Sequence, residues 1–401
     1  MRFAITGVTI SGNMGGAAML AAATDTLNEF APGSQLSLLS ITPDKDRELP
    51  LAKEIEIVNT RPKALLLVYL PLSILLWPFA KFGFVRRLLS CIPYFQSLIS
   101  ADAVVDLCGI AFVDKRGSPL LAYNAACCLP AIVVGTPVAK LAQALGPFET
   151  QPNRMVAKFV LKLCKVVVAR GEKSLKFLHD LGIQEAISLP DTSFAMEVNE
   201  NHRKMAREMV PELAGNQLLV VSPSEVVKRL SAAQGIDLET ELTTFLLARI
   251  SQGWKVLIVP HSFGVGKNND LDLCRSIIKK LPADSSALVN PPQDPRTLRA
   301  LIGKADAFVG CRFHSVVAAL SQGVPSLVIG WSHKYQEMMA MLQPGEWFID
   351  ASRVSASDLE VLFRRFDEAR PQLVAAIAEQ LPTISIRAKK NFALAVEVGK
   401  L

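Results

Sequence analysis

The chain opens with the apolar stretch Arg2-Phe3-Ala4-Ile5-Thr6-Gly7-Val8 and continues into the glycine-rich stretch Ser11-Gly12-Asn13-Met14-Gly15-Gly16. The apolar stretch predicts a buried β-strand, the glycines predict a loop, and the residues up to about Phe30 predict a helix. A strand, a loop and a helix in this order are typical of the start of an α/β domain.

The same alternation continues along the chain in two series. The first series predicts strands at 35–41, 54–58, 103–107, 131–135 and 166–169, with helices at 154–164 and 172–181. The second predicts strands at 218–222, 256–260, 287–290, 307–309 and 326–329, with helices at 239–251, 270–280, 295–303 and 314–322. Strands that alternate with helices predict a parallel sheet covered on both faces.

The 401 residues exceed what one core usually supports, so two domains are expected. We expect two Rossmann-like α/β domains that face a cleft: residues 1–198 as the N-terminal domain and 217–375 as the C-terminal domain. Residues 199–216 predict a helix and linker. Two closing helices, 356–380 and 384–398, are expected on either side of Pro382. Residues 376–401 are expected to pack back on the N-terminal domain.

Composition excludes several classes of protein. Half of the residues are hydrophobic, which rules out a disordered chain. A net charge of +6, from 43 basic and 37 acidic residues, is too mild for nucleic-acid binding but suits anionic small substrates or an anionic membrane surface. The seven cysteines are odd in number and irregularly spaced, which argues against a disulfide framework and favours a reducing cytosol.

The segment 64–100 differs from the rest of the N-terminal domain because it contains no Asp or Glu. Its apolar run 64–80 has only 17 residues and two prolines, which argues against a simple membrane-spanning helix. One interpretation is a set of buried helices. The other is an apolar element that rests on a membrane interface through basic and aromatic side chains, namely Lys81, Arg86, Arg87, Tyr69, Trp77 and Tyr94.

The residues best suited to chemistry follow the predicted strand 307–309. Gly310-Cys311-Arg312-Phe313-His314-Ser315 places Arg312 and His314 at a strand end and at the start of a helix, where anions bind. Arg312 offers a fork for phosphate or carboxylate, and His314 can exchange a proton near neutral pH. The alternative is structural: Arg312 pairs with a local carboxylate and His314 caps the helix. No clustered set of His, Asp or Glu predicts a metal site.

Six stretches, in this order, resemble motifs of the polysaccharide pyruvyl transferases. They are the Gly-Asn loop at 11–16, the Gly-Pro segment at 144–148, Ala169-Arg170-Gly171-Glu172-Lys173-Ser174, Asp191-Thr192-Ser193-Phe194, Pro260-His261, and the signature Gly310–Ser315 followed by Gly323-Val324-Pro325 and Lys334. The sequence departs from the family at Gly16, where an Asp is usual, and at Asp106-Leu107-Cys108-Gly109-Ile110, where a Gly-Gly pair is common.

The resemblance implies an architecture like that of GT-B glycosyltransferases, with the acceptor on the N-terminal domain and the donor on the C-terminal domain. It implies transfer of pyruvate from phosphoenolpyruvate to two hydroxyls of a sugar, in a cell-surface polysaccharide or its lipid-linked precursor, without another cofactor. The residues expected to act are as follows: His314 and Arg312 in catalysis, Arg170, Lys334, Ser315 and His261 in donor binding, and Gly12, Asn13, Gly15 and Gly16 in an acceptor-side loop.

Two other functions remain open on the sequence. The chain could be a nucleotide-sugar-dependent glycosyltransferase of the same architecture, or an inactive scaffold in polysaccharide biosynthesis. The expected location is the cytoplasm, with contact to the inner face of the cytoplasmic membrane.

Overall fold

The computed structural model describes residues 1–79, 82–210, 217–263, 268–290, 294–331 and 333–401, without the side chains of residues 333 and 334. The chain divides into two compact units. The N-terminal unit contains residues 1–11, 16–196 and 386–401, and the C-terminal unit contains residues 12–15 and 197–385. The division therefore assigns the short loop 12–15 to the C-terminal unit, although it lies near the start of the chain.

The N-terminal unit contains a parallel sheet in the order β3-β2-β1-β4-β6-β7-β8, with β5 paired to β6. Its strands are β1 (Arg2–Thr6), β2 (Gln35–Ser40), β3 (Glu56–Asn59), β4 (Ala103–Asp106), β5 (Ile110–Ala111), β6 (Val138–Leu145), β7 (Val166–Ala169) and β8 (Ile187–Ser188). The central strands β1 and β4 are apolar and buried because helices cover both faces of a parallel sheet.

The helices of this unit are α1 (Met14–Phe30), α2 (Pro43–Arg47), α3 (Pro62–Ala64), α4 (Leu70–Leu76), α5 (Gly83–Leu89), α6 (Pro93–Ser100), α7 (Ser118–Ala126), α8 (Leu129–Val133), α9 (Gln151–Leu163) and α10 (Glu172–Leu181). A π-helical stretch at Leu65–Tyr69 joins α3 to α4, and a 3₁₀-helical turn at Trp77–Phe79 follows α4. Pro62–Phe79 is therefore one helical segment. Two further tight turns lie at Pro50–Glu54 and Thr192–Ala195.

The C-terminal unit has a parallel sheet in the order β11-β10-β9-β12-β13-β14. Its strands are β9 (Leu218–Ser222), β10 (Lys255–Ile258), β11 (Ser286–Leu288), β12 (Ala307–Gly310), β13 (Ser326–Gly330) and β14 (Phe348–Asp350). Its helices are α11 (Glu200–Met209), α12 (Glu225–Ala232), α13 (Leu238–Ser251), α14 (Leu271–Ile278), α15 (Pro295–Ile302), α16 (Phe313–Leu320), α17 (His333–Ala340) and α18 (Ala356–Val398). The strand order is that of a Rossmann sheet, so the prediction of two Rossmann-like α/β domains is confirmed.

The strand predicted at 131–135 is wrong. These residues follow Pro130 and belong to α8 and the turn after it, whereas the strand that pairs with β4 is Val138–Leu145. A short buried apolar run does not distinguish a helix from a strand, and Pro near its start favours a helix. The true strand was missed because it contains Lys140 and Gln143, which are polar but fully buried.

The two closing helices predicted around Pro382 are one continuous helix, α18, which contains both Pro371 and Pro382. Its residues up to 385 belong to the C-terminal unit and those from 386 to the N-terminal unit. Buried positions continue at helical spacing past the proline, through Ile377, Ile384 and Ala388. The packing along this face outweighs the hydrogen bond that Pro382 removes.

The segment 64–100 has a buried side and an exposed apolar side. Tyr94 lies in the core and its ring stacks on Tyr69 at 4.4 Å between centroids, so these two tyrosines are not interfacial residues. The outer side of the helical segment Pro62–Phe79 is exposed and apolar. The predicted contact through Lys81 falls on a residue outside the described part of the chain.

A buried ion pair joins the neighbouring strands β4 and β6 of the N-terminal sheet. The Lys140 ammonium donates to the Asp106 carboxylate, and neither side chain is exposed. Burial by itself would lower the pKa of Lys140, but the adjacent Asp106 raises that pKa well above its ordinary value. Lys140 is therefore charged, and the buried ammonium depends on Asp106 for compensation.

We predict that Asp106→Ala lowers the free energy of unfolding by about 3–5 kcal/mol, because it leaves a charged Lys140 buried without its partner. The double variant Asp106→Leu/Lys140→Met should cost less than Asp106→Ala, since it removes both charges. Urea unfolding followed by circular dichroism measures these differences.

The exposed ion pair of Asp44 with Arg61 is the matched control. Asp44→Ala should change the free energy of unfolding by about 1 kcal/mol or less. Equal effects of Asp106→Ala and Asp44→Ala would contradict the assignment of a compensated buried pair.

Candidate active site

The candidate site lies at the carboxyl ends of the central strands of the C-terminal unit. The strand order reverses between the neighbours β9 and β12, which is where α/β sheets bind ligands. The chain leaves β10 into His261 and Ser262, and leaves β12 into Cys311 and Arg312. The loops after these two strands, which flank β9, thus bring their side chains to one edge of the sheet.

The loop Gly12–Gly15 docks on this edge through its backbone. The Met14 N–H donates to the His261 carbonyl at 3.0 Å, and the Phe263 N–H donates to the Gly12 carbonyl at 2.8 Å. The Ser262 hydroxyl also donates to the Gly12 carbonyl, at 3.2 Å. The loop that was predicted to lie on the acceptor side is therefore hydrogen-bonded to the unit that was predicted to hold the donor. The residues that follow β10 supply the partners for its backbone N–H and carbonyl groups.

Gly15 packs directly against the imidazole of His314. A Cβ atom at residue 15 would lie 2.5 Å from Cγ of His314, well inside van der Waals contact. The Gly15 N–H donates to the Asn13 carboxamide oxygen at 2.8 Å, which holds the start of α1 in place. The glycine is thus required for the close approach of this loop to His314.

The buried carboxylate of Asp270 connects the three strand ends. One oxygen accepts the Glu225 N–H at 2.9 Å and the other accepts the Ser262 N–H at 3.1 Å. The Arg312 guanidinium donates to both oxygens, from Nε at 2.9 Å and from Nη2 at 2.5 Å. Burial raises the pKa of Asp270 above its ordinary value, and Arg312 offsets part of this increase.

The structure confirms the local-carboxylate alternative for Arg312. Two of its N–H groups bind Asp270, and Nη2 also donates to the Asn268 carbonyl at 3.1 Å. Within the described residues, Nη1 of Arg312 has no protein partner, and the side chain is 17% exposed. The pairing with Asp270 therefore orients the guanidinium. It occupies Nε and Nη2, so that only the Nη1 edge, and not the whole guanidinium, is left for a ligand.

Ser315 has a structural position instead of the predicted donor contact. Its side chain is fully buried, and its hydroxyl donates to the Arg312 carbonyl at 2.8 Å. This bond lies inside the first turn of α16 and fixes the residue before the helix. The serine therefore stabilises the start of α16, where Arg312 and His314 lie.

His261 is a buried imidazole at the centre of a positive environment. It is 4% exposed, and neither ring nitrogen has a hydrogen-bond partner among the residues that the structure describes. Burial lowers the pKa of His261 well below its ordinary value, and the neighbouring His314, Arg312 and Arg299 lower that pKa further. Buried polar groups are normally hydrogen-bonded, so these nitrogens are suited to bind a polar ligand.

The sequence pattern of the polysaccharide pyruvyl transferases matches residues 13–333, which is most of the chain. The chain belongs to the polysaccharide pyruvyl transferase family. The match includes the loop at Asn13 and the strand ends that carry His261, Arg312 and His314.

A curated relative of this pyruvyl transferase is the amylovoran biosynthesis protein AmsJ of Erwinia amylovora, which is 22% identical over 70% of this chain and 69% of its own length. Among solved structures, UDP-GlcNAc 2-epimerase of Neisseria meningitidis has a TM-score of 0.62 at 13% identity and covers 99% of both chains. HepE of Anabaena has a TM-score of 0.55 at 12% identity, also with 99% coverage of both chains. These likenesses show that the transferase shares the GT-B-like fold.

Arg170 was the other arginine predicted to bind the donor. It lies in the N-terminal unit, directly after β7, where it is buried and donates to Asp191 at 2.5 Å. Asp191 also accepts from the Ser193 N–H at 2.9 Å. The resemblance predicted a donor contact for Arg170, which stays a prediction; the structure shows that this side chain pairs with Asp191.

The other predicted residues fall in different places. Gly16 lies inside α1 and belongs to the N-terminal unit, rather than to the loop. Lys334 belongs to α17, and its side chain lies outside the described part of the structure. Among the described residues, no three His, Cys, Asp or Glu side chains are grouped so that they could hold a metal ion.

Sequence reasoning missed Asp270 and Arg299. Asp270 was assigned only to the start of a helix, and Arg299 only to the helix now seen as α15, in which every residue is buried. Arg299 is 2% exposed. Neither residue stands in a spacing that indicates its position beside the strand ends, since both reach the site through tertiary packing.

We predict that Gly15→Ala lowers the turnover of this transferase without unfolding it, because the added methyl group displaces either the His314 ring or the loop. Steady-state kinetics and the circular dichroism spectrum test this. Gly83→Ala is the matched control, since a Cβ there meets no atom within 4 Å. Unchanged turnover in Gly15→Ala would show that the contact with His314 has no role in catalysis.

We predict that His261 makes the protein less stable as the pH falls. Its folded-state pKa is lowered, so below about pH 6.5 the unfolded chain binds a proton that the folded protein excludes. The free energy of unfolding should then decrease by at most about 1.4 kcal/mol per pH unit from this group. His261→Gln should lose this contribution between pH 7.5 and pH 5.5, and His179→Gln, on helix α10, should retain it. Parallel pH profiles for wild type and His261→Gln would contradict the prediction.

Proposed function

We propose that this enzyme transfers pyruvate from phosphoenolpyruvate to two hydroxyls of one sugar, in a cell-surface polysaccharide or its lipid-linked precursor. The observation that carries the proposal is the buried His261, whose ring nitrogens have no partner among the described residues, in a cluster with His314, Arg312 and Arg299. Such a cluster suits a small, multiply charged anion.

Phosphoenolpyruvate presents a phosphate and a carboxylate close together. Arg312 keeps one N–H edge for these groups while Asp270 holds the rest of its guanidinium. The first turn of α16 adds backbone N–H groups and the positive end of the helix dipole. A neutral His261 can donate one hydrogen bond to the donor, because burial disfavours its protonation. Lys334 is proposed as a further cation for the donor.

His314 is proposed as the general acid and base. It protonates the methylene carbon of the donor, and the first sugar hydroxyl attacks C2 and returns a proton to His314. The second hydroxyl then displaces phosphate from C2 and closes the ketal, and its proton leaves on the phosphate, so that the products are the pyruvylated sugar and inorganic hydrogen phosphate. The positive charges of Arg312 and Arg299 stabilise the departing phosphate.

Arg170 and Ser315 are given no role in the proposed steps: Arg170 pairs with Asp191, and the Ser315 hydroxyl donates to the Arg312 carbonyl. No cofactor is included in the proposed reaction besides the donor substrate. We place the reaction in the cytoplasm, at the inner face of the cytoplasmic membrane, where a lipid-linked sugar acceptor is accessible to an enzyme that uses phosphoenolpyruvate.

We predict that His314→Ala reduces phosphate release from phosphoenolpyruvate by roughly 10²–10⁴-fold in the presence of a lipid-linked glycan, which is the usual range for losing a general acid and base. His179→Ala on helix α10 is the control and should keep wild-type turnover. Near-normal turnover in a folded His314→Ala variant would remove His314 from the mechanism.

The same assay separates the donor classes. Phosphoenolpyruvate and a panel of nucleotide sugars, including UDP-glucose, are offered in parallel to the wild type with each acceptor. Turnover of a nucleotide sugar but not of phosphoenolpyruvate would replace the proposal with a glycosyltransferase. Turnover of neither donor with any acceptor in the panel would favour a scaffold.

A further inference from the structure

The N-terminal unit carries a large exposed apolar surface that the reaction does not use. It is formed by the helical segment Pro62–Phe79, the adjoining residues 82–89 and one side of α9. We call this surface the apolar face and define it by its exposed side chains: Leu67, Val68, Ile74, Leu75, Phe79, Phe82, Phe84, Leu88, Met155 and Phe159.

The helical segment Pro62–Phe79 is apolar on two opposite sides, but only one side is covered. Leu65 and Ser73 point into the unit and are buried. Leu67 and Leu75, on the other side, are 73% and 71% exposed. A helix that is apolar all round is normally buried on all sides, so the open side lacks a partner.

The tertiary structure adds α9 to this surface. The rings of Trp77 and Phe159 lie 5.8 Å apart between centroids, which joins the end of the Pro62–Phe79 segment to α9. The rings of Phe79 and Phe82 lie 6.5 Å apart and connect that segment to the start of α5. The apolar face is therefore one continuous surface from two separate parts of the sequence.

The size of the apolar face exceeds what a monomer usually exposes. If a fully accessible Phe side chain has about 200 Å², the exposed fractions of Phe79, Phe82 and Phe84 correspond to about 400 Å². The largest apolar patch on a typical monomer has about 300–600 Å² in total. The three Phe residues alone fall within that range, so the total exposed area of the apolar face exceeds it once the other members are added. A patch of this size marks an interaction surface.

The two segments that form the apolar face carry charges of one sign only. Neither residues 60–101 nor residues 151–169 contain an Asp or Glu. The exposed cations on α5 and α9 are Arg86, Arg87, Arg154, Lys158 and Lys162. None of these five forms an ion pair in the described part of the chain. The partner is therefore both apolar and negatively charged.

We propose that the apolar face docks this protein on an anionic lipid bilayer. The exposed Phe and Leu side chains insert at the boundary between headgroups and acyl chains, and the cations on α5 and α9 contact lipid phosphates. Arg and Lys side chains have apolar stems that allow both contacts at once.

The geometry favours docking over crossing, although the segment Pro62–Phe79 is long and apolar enough to span a bilayer by length and composition. The chain enters the segment after β3 and returns through α5 and α6 to β4, and both strands belong to one sheet. The return helix α5 has seven residues and spans about 10 Å, against the ~30 Å of a hydrocarbon core. The face therefore lies on one side of the membrane.

The charge pattern also argues against a second copy of this chain as the occupant. In a symmetric dimer each apolar face would meet its own equivalent. Arg86 and Arg87 of one copy would then lie against cations of the other, without an acidic residue in either segment to compensate them. Anionic lipid provides that compensation.

The test measures binding to vesicles without donor or acceptor, so its result does not depend on the proposed reaction. Wild-type protein should sediment with vesicles of phosphatidylcholine and phosphatidylglycerol at low salt. It should bind vesicles of phosphatidylcholine alone more weakly, and high salt should weaken binding to the anionic vesicles.

The charge variant Arg86→Glu/Arg87→Glu should bind anionic vesicles at least about tenfold more weakly than wild type. The matched control is Arg364→Glu/Arg365→Glu, an exposed basic pair on α18, which should bind like wild type. The four substituted arginine side chains are exposed, so both variants should keep the unfolding midpoint of the wild type.

The apolar variant Phe82→Ser/Phe84→Ser should also lose vesicle binding, and Ile386→Ser, an exposed apolar residue on α18, should not. Wild-type protein that ignores anionic vesicles at low salt would overturn the proposal. So would a lipid-free dimer that Phe82→Ser/Phe84→Ser converts to a monomer, since that result would assign the face to a second copy.

Discussion

The C-terminal unit depends on one buried carboxylate. Asp270 accepts backbone N–H groups from the loops after β9 and β10 and the guanidinium of Arg312 after β12. Parallel strands end at the same edge of a sheet, but their loops need a common partner to hold a fixed geometry. The raised pKa of Asp270 shows the cost of burying this charge, and the four hydrogen bonds compensate it. The orientation of Arg312, and through the adjacent helix start that of His314, follows from this arrangement.

The N-terminal unit also contains a buried carboxylate that pairs with a cation at a strand end, but this pair is closed to ligands. Asp106 lies at the end of β4, accepts the Cys108 N–H at 2.9 Å and pairs with Lys140. Gly7, after β1, approaches so closely that a Cβ atom there would lie 2.6 Å from the Asp106 carboxylate. Both members of this ion pair are completely buried, whereas Arg312 keeps an exposed edge. The ion pair of the N-terminal unit therefore supports the fold, whereas that of the C-terminal unit leaves an edge of Arg312 open to a ligand.

The apolar segment shows how one stretch of sequence serves two environments. Its inner side contributes Leu65 to the core, while Leu75 and Phe84 remain exposed. Composition alone does not separate these roles, because all of these residues are apolar. Only the packing against the rest of the unit shows which side has no partner, and only the contact between Trp77 and Phe159 adds α9 to that side.

The sequence by itself determined the α/β class, the two series of strands and the strand end that carries Arg312 and His314, because periodicity, glycines and helix starts are local properties of the chain. It did not determine the strand Val138–Leu145, whose polar Lys140 is buried only because Asp106 compensates it. Likewise, the pairing of Arg312 with Asp270, the docking of Gly15 on His314 and the buried His261 were decided by the tertiary structure. Each joins residues that are tens to hundreds of positions apart, and such contacts form only when the strands assemble side by side.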